Sequence, residues 1–185
     1  MLLDMVVALS AVIISVASLY VALRADQTQE RLLQSTVWPY VQYDTSDATA
    51  TGTRRLAFEL TNAGVGPAII RSFSLAYDGH YVTTVHQLLT ACCMANASKS
   101  RHGVYISTVR DRVIMAHEVV QFIQAVPQQT EPATYTRLSD ARSHVTIRLC
   151  YCSVLGDCWL IDSALDGVPH SVSACIAGKT PEYIT

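Results

Sequence analysis

Residues 5–23 (MVVALSAVIISVASLYVAL) form a run of nineteen residues without one charged side chain. A helix rises about 1.5 Å per residue, so this run reaches about 28 Å, close to the bilayer's hydrocarbon thickness of about 30 Å. The chain after Gln27 is too polar, and too often interrupted by turn-forming residues, to cross a bilayer. We therefore predict a transmembrane anchor over residues 1–24, a juxtamembrane helix or linker over 25–36 and one domain over 37–185.

Two other interpretations of the apolar run are weaker. A secretory signal peptide has a positively charged start, a shorter apolar core and a small-residue cleavage site, whereas this run is preceded by Asp4 and by no Lys or Arg. A core helix that is apolar on every side belongs inside a protein larger than this one. The run is therefore interpreted as a retained anchor that contacts the lipid bilayer.

The charged residues beside the run predict its orientation. Lys and Arg near the ends of a membrane span are retained on the cytoplasmic side, and Arg24 and Arg31 follow the run closely. We expect the N-terminus outside, the domain in the cytoplasm and the protein in the inner membrane. Trp38 and Tyr40 are predicted, together with the two arginines, to lie near the membrane interface.

Small side chains recur along the anchor at helical spacing. They predict a face on which another membrane helix can approach closely, and they are Ala11, Ser15, Ser18 and Ala22. The opposite side is bulkier and suits lipid; it carries Leu9, Ile13, Val16 and Tyr20.

The remaining chain is predicted to be mainly β. Pro39 should end the helix by residue 37, and a two-residue period or a turn signal then marks successive strands. The predicted strands are 37–43, 56–61, 68–77, 80–82, 104–109, 119–126, 145–153 and 158–163, with a mobile loop at 44–53, a helix at 84–94, a loop at 95–103 and a helical turn around 135–141. The early strands should form an antiparallel meander, and the tail after Asp166 should wrap the surface. Such a pattern is typical of an immunoglobulin-like antiparallel β-sandwich with one or two short helices.

The strand at 145–153 has the clearest alternation. One face carries Val145, Ile147, Leu149 and Tyr151, and the other carries Thr146, Arg148, Cys150 and Cys152. The first face is predicted to be core and the second to be semi-polar.

Six cysteines leave three chemical states open. In a cytoplasmic domain they should be buried thiols, and in an exported domain three disulfides would be expected. A metal site built from Cys150, Cys152, Cys158 and a histidine is the third alternative, although no CxxC pair is present. We predict neither a metal nor another cofactor.

Charge and motifs argue against nucleic-acid binding and catalysis. The net charge of −2, from 13 basic and 15 acidic residues, lacks the excess of basic residues that is typical of nucleic-acid binding. The sequence contains no G-x-S-x-G, Walker loop or H-E-x-x-H motif. The segment NAGVGP at 62–67 predicts a tight turn in which glycine takes a positive φ. We therefore expect no enzyme.

Three short segments carry a family resemblance. VWPY after the span, NAGVGPAII and CYCSVLGDCW resemble small bacterial inner-membrane proteins of unknown function. That resemblance implies one N-terminal anchor and a cytoplasmic β-sandwich, and it implies no activity.

Two classes of function follow. In the first, the protein is a non-catalytic accessory subunit whose anchor packs on membrane proteins of a larger complex, such as one in transport, respiration or light harvesting. In the second, the domain is a sensor that binds a small ligand or signalling molecule and forms a homo-oligomer through its anchor.

Overall fold

The structure is a computed structural model that describes residues 2–49, 51–94, 103–176 and 180–184. The chain divides into two compact units, residues 1–36 and residues 37–185. Residues 95–102 of the loop predicted at 95–103 lie outside the described part.

The first unit is one continuous helix, α1 (Leu2–Thr36). From Asp4 to Thr36 it is long and apolar enough to cross a membrane, and none of its most apolar window is buried within the protein. Its hydroxyl groups bond back to the preceding turn: Ser10 Oγ donates to the Val7 carbonyl and Ser15 Oγ to the Ala11 carbonyl, both at 2.8 Å. These bonds satisfy polar groups that lipid could not.

The second unit contains two antiparallel sheets. Its described strands are β1 (Val41–Ala48), β2 (Arg54–Asn62), β3 (Ala68–Tyr77), β4 (His80–Val82), β5 (Val104–Ile106), β6 (Val113–Ile114), β7 (Val119–Ala125), β8 (Val145–Cys152), β9 (Cys158–Asp162) and β10 (His170–Val172). One sheet has the order β1-β2-β7-β5. The other has the order β10-β9-β8-β3-β4, and β6 also pairs with β3.

Aromatic side chains from both sheets meet in one core. Phe122 of β7 lies 6.3 Å from Phe58 of β2 and 5.1 Å from Phe73 of β3, measured between ring centroids. All three rings are fully buried. Packing of this kind fits a β-sandwich, whereas the immunoglobulin-like type is not confirmed.

In the described part of the domain, two helices and a short 3₁₀ turn accompany the sheets. They are α2 (Val85–Cys92), α3 (Pro132–Asp140) and the 3₁₀ turn Ala141–His144. Thr84 caps α2, since its hydroxyl oxygen accepts a hydrogen bond from the Gln87 amide at 3.2 Å. The helix predicted at 84–94 and the helical turn around 135–141 are therefore confirmed.

The predicted meander is formed only in part: β1 pairs with β2 and β3 pairs with β4, but β2 and β3 lie in different sheets. β2 pairs with β7, and β3 pairs with β8. The first strand also begins four residues later than predicted and continues to Ala48, so part of the predicted mobile loop is strand.

The tail does more than wrap the surface. Tyr183 is 2% exposed, and its ring packs edge-on against Phe73 at 5.8 Å between centroids. Its backbone amide also donates to the Phe73 carbonyl at 2.9 Å. The last described residues therefore complete the core.

The turn after β2 requires glycine for a different reason from the one predicted. Neither Gly64 nor Gly66 has a positive φ. A Cβ at Gly64 would overlap with the backbone of Trp38 and Tyr40, and one at Gly66 would overlap with the backbone of Val37. The glycines thus permit a close approach between this turn and the segment where the domain begins.

Candidate functional site

Four cysteine sulfurs converge beside the turn that joins β8 and β9. Cys150 and Cys152 are two residues apart on β8 and therefore point to the same face of the sheet. Cys158 begins β9 directly opposite Cys152 in the strand register, with 4.0 Å between the Cα atoms. Cys175 approaches from the segment after β10.

The structure joins these four residues in two bridges, Cys150–Cys175 and Cys152–Cys158. The two bridges touch, because the sulfurs of Cys152 and Cys175 are 3.6 Å apart. A third bridge links the neighbouring residues Cys92 and Cys93 at the end of α2. This bonding differs from the thiols expected in a cytoplasmic domain and agrees with the alternative of three disulfides.

Burial of the cluster shows how the tail covers the outer face of β8. Cys150, Cys152 and Cys158 are 4%, 6% and 7% exposed, and Cys175 is half-buried. The alternating pattern of β8 had predicted a semi-polar face here. That face is partly covered because Cys175 lies over it, which no local period in the tail could indicate.

The hairpin turn that carries the cluster is held by its own hydrogen bonds. The Ser153 amide donates to the Asp157 carbonyl at 2.7 Å, and the Gly156 amide donates to the Ser153 carbonyl at 3.2 Å. Gly156 has φ +92°, a backbone conformation that favours glycine. The relative positions of Cys152 and Cys158 are therefore set by the hairpin.

The other face of β8 belongs to the core. Tyr151 is fully buried, stacks on Trp159 at 5.7 Å between centroids and accepts a hydrogen bond from the Val41 amide at 3.3 Å. Burial raises the pKa of its hydroxyl to about 12. Tyr151 is therefore a neutral packing residue between the two cysteines of the strand.

Sequence reasoning identified three of the four clustered cysteines and missed the fourth. The metal alternative had combined Cys150, Cys152 and Cys158 with a histidine. In the structure it is Cys175 that joins them, and its sulfur and those of Cys152 and Cys158 lie within 4.8 Å of one another. Two of the histidines instead face aspartates, His144 with Asp78 at 2.7 Å and His170 with Asp166 at 2.8 Å. Cys175 lies far along the chain, and no sequence pattern around it predicted that it would join the cluster.

The predicted packing residues of the anchor lie exposed on α1. Ser18 and Ala22 line a shallow concave strip together with Ile14, Ala17 and Val21. Ala11 and Ser15 belong to the same predicted face but do not line this strip. The concavity is therefore rotated around the helix from the predicted face and shares two of its four residues.

Tyr20 and Arg24 are in contact on α1, a pairing that the sequence analysis did not predict. Arg24 Nε donates to Tyr20 Oη at 3.2 Å, and the guanidinium carbon lies 5.4 Å from the ring centroid. A tyrosine and an arginine one turn apart suit the border between hydrocarbon and water. Tyr20 had been assigned to the lipid side, so this contact was missed, although the four-residue spacing was a usable signal.

The other residues predicted at the interface are Arg31, Trp38 and Tyr40, and they lie farther along the chain from the apolar run. α1 continues for thirteen residues beyond Leu23, or about 20 Å, before it ends at Thr36. Trp38 is 45% exposed and its ring lies 5.3 Å from that of Tyr40 between centroids. Their interface role stays a prediction.

Comparison with protein-family models, with curated proteins and with solved structures gave no match.

Proposed function

We propose that this protein is a non-catalytic accessory subunit of a bacterial membrane complex, held in the inner membrane by α1 and contacting the complex through its β domain. The observation that carries the proposal is the exposed apolar surface of α1, of which nothing is buried within the chain. Such a helix is stable only in lipid or against other membrane helices.

The concave strip on α1 supports a helical neighbour in the membrane. Small residues at Ala17, Ser18 and Ala22 lower the surface between the larger Ile14 and Val21. Lipid offers no hydrophobic driving force for the association of helices. Close van der Waals packing on small residues therefore stabilises such an association.

The arginines beside the apolar run favour an orientation with the domain in the cytoplasm, although the three bridges of the structure are typical of an oxidising compartment. Arg24 and Arg31 follow the apolar run within α1, and such residues are retained on the cytoplasmic side. The hydrogen bond of 3.2 Å between Arg24 and Tyr20 supports placing the border between hydrocarbon and water at this turn of α1. A retained anchor, rather than a cleaved signal sequence, is part of the proposal.

The sensor alternative has a specific but weaker support. A cleft of about 120 Å³ lies between β3, β8 and β9, lined by Tyr81, Arg148 and Asp162 among others. Arg148 Nε and Asp162 Oδ2 are 3.9 Å apart there. Because sites for small organic ligands usually measure about 300–1,000 Å³, the cleft favours a sensor less than the helix surface favours a subunit.

Affinity purification of the tagged full chain in mild detergent tests the proposal. We expect a constant set of membrane proteins to co-purify with the wild type and with a double variant Ile13→Leu/Val16→Leu on the bulky side of α1. The double variant Ser18→Leu/Ala22→Leu fills the concave strip and should lose at least about tenfold of the bound partners, since close helix packing is lost.

Recovery of the wild-type chain alone would contradict the subunit proposal. Recovery as a homo-oligomer whose melting temperature rises with an added small ligand would contradict it in favour of the sensor.

A further inference from the structure

We propose that the two touching bridges of the cluster form a redox-active site, which a dithiol reduces through the half-buried sulfur of Cys175. The bridges are those of the structure, Cys150–Cys175 and Cys152–Cys158. The proposal goes beyond the subunit function and does not rest on it, because the exchange of disulfides requires neither the anchor nor a partner protein.

Exposure selects the sulfur that a reductant meets first. A disulfide is opened by a thiolate that attacks one of its two sulfurs, so the rate depends on access to that sulfur. Cys150, Cys152 and Cys158 are each less than a tenth exposed, whereas Cys175 is half-buried. A thiolate from solvent therefore reaches Cys175 and, through it, the Cys150–Cys175 bridge.

The contact between the bridges carries the reaction to the second pair. The sulfurs of Cys152 and Cys175 lie 3.6 Å apart although they belong to different bridges. A disulfide bond is about 2.05 Å long, so these two sulfurs need to approach by only about 1.5 Å to form one. The sulfur of Cys158 lies within 4.8 Å of both and is bonded to Cys152. Cys158 is therefore the group that leaves when Cys175 attacks Cys152.

The first dithiol is oxidised in two steps. One of its thiolates attacks the sulfur of Cys175, a new S–S bond forms there, and the Cys150–Cys175 bond breaks. The electron pair of the broken bond stays on Cys150, which takes a proton from solvent. The second thiolate of the dithiol then attacks the sulfur of its own molecule that is bonded to Cys175. The dithiol leaves as a disulfide, and Cys175 is released as a thiolate.

The released Cys175 then opens the second bridge. Its thiolate attacks Cys152, the Cys152–Cys175 bond forms, and the Cys152–Cys158 bond breaks with its electron pair on Cys158, which is protonated. One bond forms as one breaks, so this step needs no further reductant. A second dithiol attacks Cys175 again and leaves four thiols. Two dithiols thus donate four electrons, and both enter through Cys175.

The β8–β9 hairpin holds the exchanging residues in place. Cys152 and Cys158 are opposite each other in the strand register, and the turn between them is closed by the hydrogen bond from the Ser153 amide to the Asp157 carbonyl. Their backbone positions therefore persist after the bridge opens. Cys150 points to the same face of β8 as Cys152. The tail thus stays attached to β8 whichever of the two cysteines Cys175 is bonded to.

The rate at which Cys158 is released tests the entry through Cys175. The full chain in mild detergent is treated with dithiothreitol and quenched with acid at intervals, and its free thiols are alkylated and mapped by mass spectrometry. In the wild type we expect a Cys152–Cys175 bridge as an intermediate, with Cys150 and Cys158 alkylated. In the double variant Cys150→Ser/Cys175→Ser only the buried bridge of the cluster remains. Release of Cys158 should then be at least about tenfold slower, because the solvent thiolate lacks access.

The single variant Cys150→Ser is the matched control. It keeps the thiol of Cys175 beside Cys152, so chains with a Cys152–Cys175 bridge and a free Cys158 should be present before any reductant is added. Release of Cys158 in the double variant as fast as in the wild type would overturn the entry through Cys175. Absence of the Cys152–Cys175 bridge from both the wild type and Cys150→Ser would overturn the exchange.

The third bridge separates exchange within the fold from scrambling in an unfolded chain. Cys92 and Cys93 are bonded to each other at the end of α2, so neither should be found joined to a cysteine of the cluster. Mixed bridges of that kind would overturn the site. The co-purification of membrane proteins is measured separately, so failure of the redox-active site is distinguishable from failure of the subunit proposal.

Discussion

Asn62 shows how one buried polar residue fastens the beginning of the domain. It has no exposed surface. Its carbonyl oxygen accepts from the amides of Tyr40 at 3.1 Å and Gly64 at 3.0 Å. Its amide group donates to the carbonyls of Gly66 at 2.8 Å and Ile114 at 3.1 Å. Every hydrogen-bonding position of the side chain is therefore used.

Replacing Asn62 with alanine should destabilise the domain strongly. Two amides and two carbonyls would lose their partner in a buried place, so we expect a loss of about 2–4 kcal/mol in the free energy of unfolding. Urea unfolding of the full chain in detergent, followed by tryptophan fluorescence, measures this loss. The control Gln42→Ala, an exposed residue of β1, should change the free energy by less than about 0.5 kcal/mol. Equal effects in the two variants would contradict this role.

Glu118 should make stability depend on pH. The amide of Met115 donates to one of its carboxylate oxygens at 2.8 Å and Arg112 donates to the other at 2.9 Å. These contacts lower the pKa of the carboxyl group, the backbone hydrogen bond most. A lowered pKa in the folded state stabilises the fold above the ordinary pKa of the group, and this stabilisation is lost as the pH falls through the folded value.

The variant Glu118→Gln should therefore be less stable than the wild type at pH 7, by less than about 1 kcal/mol because the pair is partly exposed. The difference should be smaller at pH 3 than at pH 7, because the wild-type carboxyl becomes protonated as the pH falls through its lowered pKa. Urea unfolding at both pH values checks this, and a difference that grows at low pH would contradict it.

At the scale of elements, local periodicity predicted several strands but could not predict their partners. Leu56, Phe58 and Leu60 alternate clearly and lie in β2 with no exposed surface. The pairing of β2 with β7 closes a long stretch of chain, and nothing in a local pattern specifies which distant edge a strand meets. β1 was partly missed because it is polar and becomes a strand through its ladder with β2.

The candidate site shows the same division. The C-x-C spacing and the turn before Cys158 place three cysteines on one hairpin by sequence alone. Cys175 joins them only because the tail crosses the outer face of β8, a tertiary contact without local signal. Tyr183 enters the core for the same reason.

The cap of α2 provides a test at this scale. Thr84 accepts from the Gln87 amide, and the Gln87 side chain accepts from the Thr83 amide at 2.7 Å. Replacing Thr84 with alanine should cost about 1 kcal/mol, since a helix N-terminal amide loses its partner. Thr90→Ala is the control, because Thr90 is exposed and its hydroxyl donates to the His86 carbonyl within the helix. Thermal unfolding of both variants measures the difference, and equal stabilities would contradict the capping role.

At the scale of the whole molecule, the partners of the protein and the chemical state of the cysteine cluster both depend on the side of the membrane on which the domain lies. If the domain faces the cytoplasm, the reducing compartment should leave the four clustered cysteines as thiols, in contrast to the bridges of the structure, and the partner subunits offer cytoplasmic surfaces. If it faces the other side, the same four sulfurs stay bridged. The orientation therefore decides both the chemistry of the cluster and the class of partner.

Protease digestion of sealed membrane vesicles of both orientations, followed by intact-mass analysis of the chain, tests this assignment most directly. We predict that the full-length chain remains in the membrane, that the β domain is digested in inverted vesicles and that it is protected in right-side-out vesicles. A mature chain that lacks residues 5–23, or a domain digested only in right-side-out vesicles, would contradict the account.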